Sequence, residues 1–112
     1  MTEDSKARIG LNEALFREVN ERIEDLNRGL AAVSDGMMHI VCECGDGECV
    51  EQLSVSVSVY ERVRSDPTHF FVKAGHERPP AEVVIAEGDG YTVVRKQSPA
   101  AERVARDTDP RS

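Results

Sequence analysis

Cys42, Cys44 and Cys49 are the only cysteines in the 112-residue chain, and all three lie in VCECGDGECV, Val41 to Val50. Thiolates are nucleophiles and soft metal ligands, so thiols gathered this closely raise metal binding or redox chemistry first. The spacing is C-x-C-x4-C, and Gly45 and Gly47 let the intervening backbone turn tightly enough to aim several sulfurs at one point. Zinc suits such a place because it takes four soft or borderline ligands tetrahedrally. Three thiolates leave one position to fill. Of the three histidines, His39, His69 and His76, the favoured fourth ligand is His76, because KAGHERPP sets it in a Gly/Pro loop free to reach another loop. Strand alternation through MMHIVCEC would turn His39 away from Cys42, and His69 stands beside Phe70 and Phe71 at a strand start. Both stay as alternatives.

Other readings of the cluster stand beside zinc. Thiols are often buried simply as small apolar side chains. Cys44 and Cys49 could pair across the loop as a disulfide or thiol switch, whereas C-x-C would close a strained ring. An iron–sulfur cluster ordinarily asks for a fourth cysteine. A zinc ion held by Cys42, Cys44, Cys49 and His76 would be structural, since catalytic zinc keeps an open position. Its binding free energy would become folding free energy, which matters to a chain with no Trp and a thin apolar complement. Glu43, Asp46 and Glu48 read as solvated loop residues that raise the local cation concentration.

The formal net charge of −7 argues against a protein that coats DNA or an anionic membrane. Residues 31–50 hold four acids and no Lys or Arg, so the negative charge concentrates beside the cysteines. Arg62, Arg64, Arg95 and Lys96 would make a small anion or RNA patch only if folding gathered them. No apolar run approaches the roughly 18 residues of a membrane span, and MTEDSKAR lacks the apolar centre of a signal peptide. The expected compartment is the cytoplasm, where closely spaced thiols read as metal or redox sites rather than as a disulfide framework.

The elements that must position these residues follow from periodicity. Residues 1–11 read as a flexible arm and Asn12 as the N-cap of a helix of about 16 residues, with Leu11 and Phe16 as a hydrophobic staple. Phe16, Val19, Ile23 and Leu26 form its apolar stripe, Glu13/Arg17, Glu18/Arg22 and Glu24/Arg28 its i,i+4 pairs, and Gly29 its stop. The stripe is expected to pack on the chain's own sheet; a homodimer through this helix is the alternative. A turn at Ser34-Asp35-Gly36 leads into MMHIVCEC as a strand, and VEQLSVSVSVYERVRSDP reads as strand to about Val55, then helix from about Val57 to Ser65 capped by Ser56. THFFVKA is a short strand, and AEVVIAEGDGYTVVRKQ a hairpin turning at Gly88-Asp89-Gly90. Residues 98–112, small, charged and bounded by prolines, read as a disordered tail. The expectation is therefore a single α+β domain over residues 12–97: a long N-terminal amphipathic helix on a mainly antiparallel sheet of about four or five strands, a second short helix and a zinc knuckle.

On NEALFREVNERIEDLN (12–27), VCECGDGEC (41–49), YERVRSDPTHFFV (60–72) and AGHE (74–77), the chain resembles an uncharacterised family of small bacterial proteins. The resemblance carries no activity; it implies that the cysteine motif and the Gly-His step belong to one pattern. There is no P-loop, Rossmann glycine fingerprint or nucleophile elbow, so an enzyme is not expected. The expectation is a small zinc-stabilised interaction or regulatory module that binds another protein through its first helix and acidic loop. Set against it is a redox- or zinc-responsive sensor that releases metal on thiol oxidation.

Overall fold

A computed structural model describes residues 3–28, 37–46, 48–78 and 82–111. Gly29, Gly47 and the Ser34-Asp35-Gly36 turn lie outside them. The fold is α+β, with helices Glu3–Arg28 (α1), Val57–Arg64 (α2) and Pro99–Asp107 (α3) and strands Met37–Val41 (β1), Gln52–Ser56 (β2), His69–Val72 (β3), Glu82–Gly88 (β4) and Tyr91–Lys96 (β5). All pairing among the described residues is antiparallel, in one sheet β1-β2 and another ordered β3-β5-β4. The strands expected as one sheet are thus divided between two.

Local chemistry explains most boundaries. The alternation that runs through residues 53–59 breaks at Ser56, whose hydroxyl accepts from the Val59 amide at 3.1 Å and starts α2. Before it, Leu53 and Val55 point inward beside Met38 and Ile40 of β1, forming a core with Tyr60, Phe71 and Val93. Tyr60 and Phe71 stack at 5.6 Å, and Tyr91 meets Phe71 edge-on at 5.7 Å. The hairpin of β4 and β5 turns through Gly90 at φ 83°, a backbone that disfavours other residues.

Both ends of the chain depart from expectation. α1 begins at Glu3, so residues 3–11 of the expected arm are helical, and Asn12 lies inside the helix rather than at its cap. Its amide donates instead to the Gly45 carbonyl at 2.9 Å, which offsets the poor helix propensity of Asn. The expected tail is helical too: Ser98 caps α3 by accepting from the Ala101 amide at 3.2 Å, Pro99 fits the first turn, and Ala105 is buried. Beyond α3, Asp109 pairs with the Arg64 guanidinium at 2.6 Å, and Arg111 pairs with Glu21 and Glu61.

α1 lies on β1, but with a face turned about 110° around the helix from its apolar stripe. Glu13, Arg17, Asn20 and Glu24 are buried, whereas Leu11, Leu15, Val19 and Leu26 are 71%, 53%, 36% and 75% exposed. Of the stripe, Ile23 packs against the core. The inward polar groups are tied by direction-dependent bonds. Arg17 donates to the carbonyls of Pro67 and Ala105, each at 2.6 Å, with its guanidinium 4.4 Å from the Phe70 ring centre. Lys96 donates to Glu13 at 2.6 Å and Glu82 at 2.5 Å. Glu13 and Arg17 are therefore anchors of the interior rather than a solvated i,i+4 pair.

Candidate metal centre

The cysteine segment links the two sheets before it forms a site. Past β1 the backbone continues strand-like, the Cys42 amide donating to Glu51 O at 3.1 Å and the Glu43 amide to Phe71 O at 2.8 Å. Alternation then directs Cys42 and Cys44 to one side and Glu43 to the other. Gly45 turns the chain at φ 83°. A tight turn follows in which Cys49 N donates to Asp46 O at 3.0 Å and Glu48 N to Asp46 Oδ1 at 2.9 Å, bringing Cys49 back toward the first two sulfurs. A second turn stands opposite: after β3, His76 N donates to Lys73 O at 2.9 Å, with Gly75 at φ 92°. Two glycines at positive φ thus set three thiols and one imidazole face to face.

The ligand atoms of Cys42, Cys44, Cys49 and His76 all lie within 4.8 Å of one another. His76 Nδ1 is 3.5 Å from Cys42 Sγ and 3.7 Å from Cys49 Sγ. A tetrahedral ion with bonds of about 2.3 Å to sulfur and about 2.05 Å to nitrogen has S···N edges of about 3.6 Å. The two S···N approaches match such edges, and the four side chains together could hold a metal ion. His39 is exposed on β1, paired in register with Ser54, and His69 sits 3.5 Å from the Asp66 carboxylate. Neither joins the cluster.

Surroundings favour sulfur as an anion only beside a cation. Burial pushes the Cys42 thiol up to about 12, partly offset by the Lys73 amide that donates to its sulfur at 3.2 Å. Burial also raises Cys44, against a hydrogen bond from the Asp46 amide. Such N–H···S contacts stabilise metal-bound thiolates and are the partners expected around the ligands. Cys42 and Cys44 are almost wholly enclosed and pack with Phe70, Val72, Val94 and Ala105, while Cys49 is half-buried. A cleft of 250 Å³ lined by Cys44, Asp46, Gly75, His76, Glu77 and Arg78 opens beside them.

Glu43 corrects the view of the acidic loop. Asp46 and Glu48 are exposed, but Glu43 is 0% exposed. One carboxylate oxygen accepts from Asn20 Nδ2 at 2.7 Å and the other from the Phe71 amide at 2.9 Å. Burial still raises its pKa, with the Asn20 and Phe71 hydrogen bonds and the Arg64 and Arg17 charges opposing. Asn20 completes the clamp by donating to Val41 O at 2.8 Å and accepting from Val41 N at 2.7 Å. Arg78 Nε holds the Cys44 carbonyl at 2.8 Å. Sequence reasoning missed these supports, although the 4-3-4 spacing of Glu13, Arg17, Asn20 and Glu24 is that of a buried helix face.

The four basic residues weighed as an anion patch are not gathered. Arg64 is buried against Asp109, and Lys96 is enclosed between Glu13 and Glu82. No described helix is long and apolar enough to cross a membrane. No family model, curated protein or solved structure matches the chain.

Proposed function

We propose that the protein is a small zinc-stabilised interaction or regulatory module that binds another protein, with Cys42, Cys44, Cys49 and His76 holding one structural Zn²⁺. The observation that carries this reading is the approach of His76 Nδ1 to two sulfurs at 3.5 and 3.7 Å, the edge lengths of a zinc tetrahedron. Zinc is favoured over other divalent ions by the donor set, three soft sulfurs with one imidazole. Four protein ligands leave no open position for a reacting water, which supports a structural role over a catalytic one. Tag-free protein should contain one zinc per chain, with X-ray absorption fitting three sulfurs at about 2.3 Å and one nitrogen at about 2.0 Å. A metal-free chain of unchanged stability and fold would overturn the reading.

Unequal exposure of the thiols supports a second reading, a redox- or zinc-responsive sensor. Cys49 is half-buried while Cys42 and Cys44 are buried, and Cys44 and His76 line the adjoining cleft. Hydrogen peroxide would oxidise the Cys49 thiolate by two electrons to a sulfenic acid, one peroxide oxygen leaving as water. Attack by a neighbouring cysteine sulfur would then form a disulfide and release a second water, removing two ligands from the ion. Zinc release under mild peroxide, abolished in Cys49→Ser loaded with metal, supports the sensor; retention by the wild-type chain counts against it.

A further inference from the structure

The outer face of α1 is apolar and faces solvent, and it carries one charge in its midst. At about 100° per residue, Leu11, Leu15, Val19 and Leu26 fall within an arc of about 80°, along about 22 Å of helix. Arg22, also exposed, falls inside that arc, with Glu18 at its margin. A wholly apolar occupant would cover the leucines at the cost of burying a guanidinium without a partner.

We propose that this face is covered by a second copy of the chain, the two α1 helices packing antiparallel about a two-fold axis near the level of residue 20. In that register Leu15 of each copy lies level with Leu26 of the other, and the Val19 side chains flank the axis. Glu18 of each copy comes level with Arg22 of the other, so the embedded charge is met twice by the symmetry operation that joins the leucines. A parallel pair would instead bring Glu18 level with Glu18 and Arg22 level with Arg22. The inner face stays on the chain's own fold, Asn20 bonded to Val41 of β1, Arg17 to Ala105 of α3 and Glu13 to Lys96 of β5, so docking requires no rearrangement. The inference names the partner left open above and rests on that reading only for a metal-ordered segment that keeps α1 in place.

The test is sedimentation equilibrium of the zinc-loaded full chain from about 5 to about 500 µM, with helix content and zinc measured on the same samples. The expected result is a reversible monomer–dimer equilibrium. Leu15→Glu and Leu26→Glu should each raise the dissociation constant at least ~10-fold with helix content and zinc unchanged. Glu18→Arg should weaken association, and Glu18→Arg with Arg22→Glu should restore it to within about threefold, as expected where the two charges meet across the two-fold axis. A zinc-loaded chain that stays monomeric throughout overturns the dimer and leaves the zinc reading standing. A dimer indifferent to the leucine substitutions, or not rescued by the charge exchange, also overturns it. A metal-free chain that still dimerises through these residues overturns the zinc reading and leaves the dimer standing.

Discussion

Glu43 occupies the position between two metal-ligand candidates where a surface acid was expected, and it faces the other way. Its neighbours Cys42 and Cys44 were legible from type and spacing alone, as was His76, because a Gly-His step in a loop is the device that lets an imidazole reach a distant turn. Glu43 was not legible, since strand alternation gives its side but not what lies there. Glu43→Ala leaves the Phe71 amide and one of the two Asn20 Nδ2 hydrogens without their acceptor inside the protein, and should cost about 3 kcal/mol in urea unfolding. Glu43→Gln keeps an acceptor and should cost less. Glu13 adds a pH dependence. Burial, against the pull of Lys96, raises its carboxyl from 4.5 to about 7. Between those values the folded chain keeps a proton that the unfolded chain has released, so stability falls as pH rises through the window, by up to about 3 kcal/mol. The raised Glu43 acts in the same sense, while Glu21, Asp66 and Asp109, held low, act below the window. Unfolding free energies at pH 5 and pH 7.5 measure the fall, and Glu13→Gln should flatten it; an equal slope in the variant would count against the assignment.

At the scale of elements, periodicity revealed α1 but not which face it buries. Two stripes share the helical period, one apolar and one made of Glu13, Arg17, Asn20 and Glu24, and transfer energetics alone choose the apolar one. The polar stripe wins because Glu13, Arg17 and Asn20 find specific partners: Val41 and Glu43 for Asn20, Pro67 and Ala105 for Arg17, Lys96 for Glu13. Those partners lie far away in sequence, beyond the reach of any local pattern. Asn20→Ala should therefore loosen the whole helix, raising amide exchange along α1 while α2 and the β4–β5 hairpin stay protected. Gly10 offers the opposite change. A Cβ there would sit 3.9 Å from Val104 Cγ1, an ordinary contact, so Gly10→Ala should stabilise by about 0.5–1 kcal/mol in thermal or urea unfolding. α3 went unread because composition was weighed above capping: Ser98-Pro99 with Glu102 in the first turn is a helix start, and small residues suit the tight approach that buries Ala105. α2 shows the reverse case, where weighing the Ser56 cap against alternation found the break.

At the scale of the molecule, the buried apolar side chains among the described residues form two clusters, and Cys42 and Cys44, with Cys49 packed against them, belong to the one containing Phe70, Val72, Val94 and Ala105. A metal there would cross-link the end of β1 to the turn after β3 within a core too small to be secure alone. A high-affinity chelator should lower the midpoint of thermal unfolding by at least about 10 °C, restored by stoichiometric zinc and absent in a His76→Ala chain that no longer retains metal. The division into two sheets was hidden from sequence because each strand reads the same whichever neighbour it takes. The contacts between the two ends of the chain also govern the order of assembly. Arg17 reaches across 88 residues to Ala105, and Glu13 across 83 to Lys96. During synthesis α1 emerges well before its carbonyl and ammonium partners, which follow it by more than 80 residues. Its outward leucines are thus exposed before the residues that hold its inner face have been made.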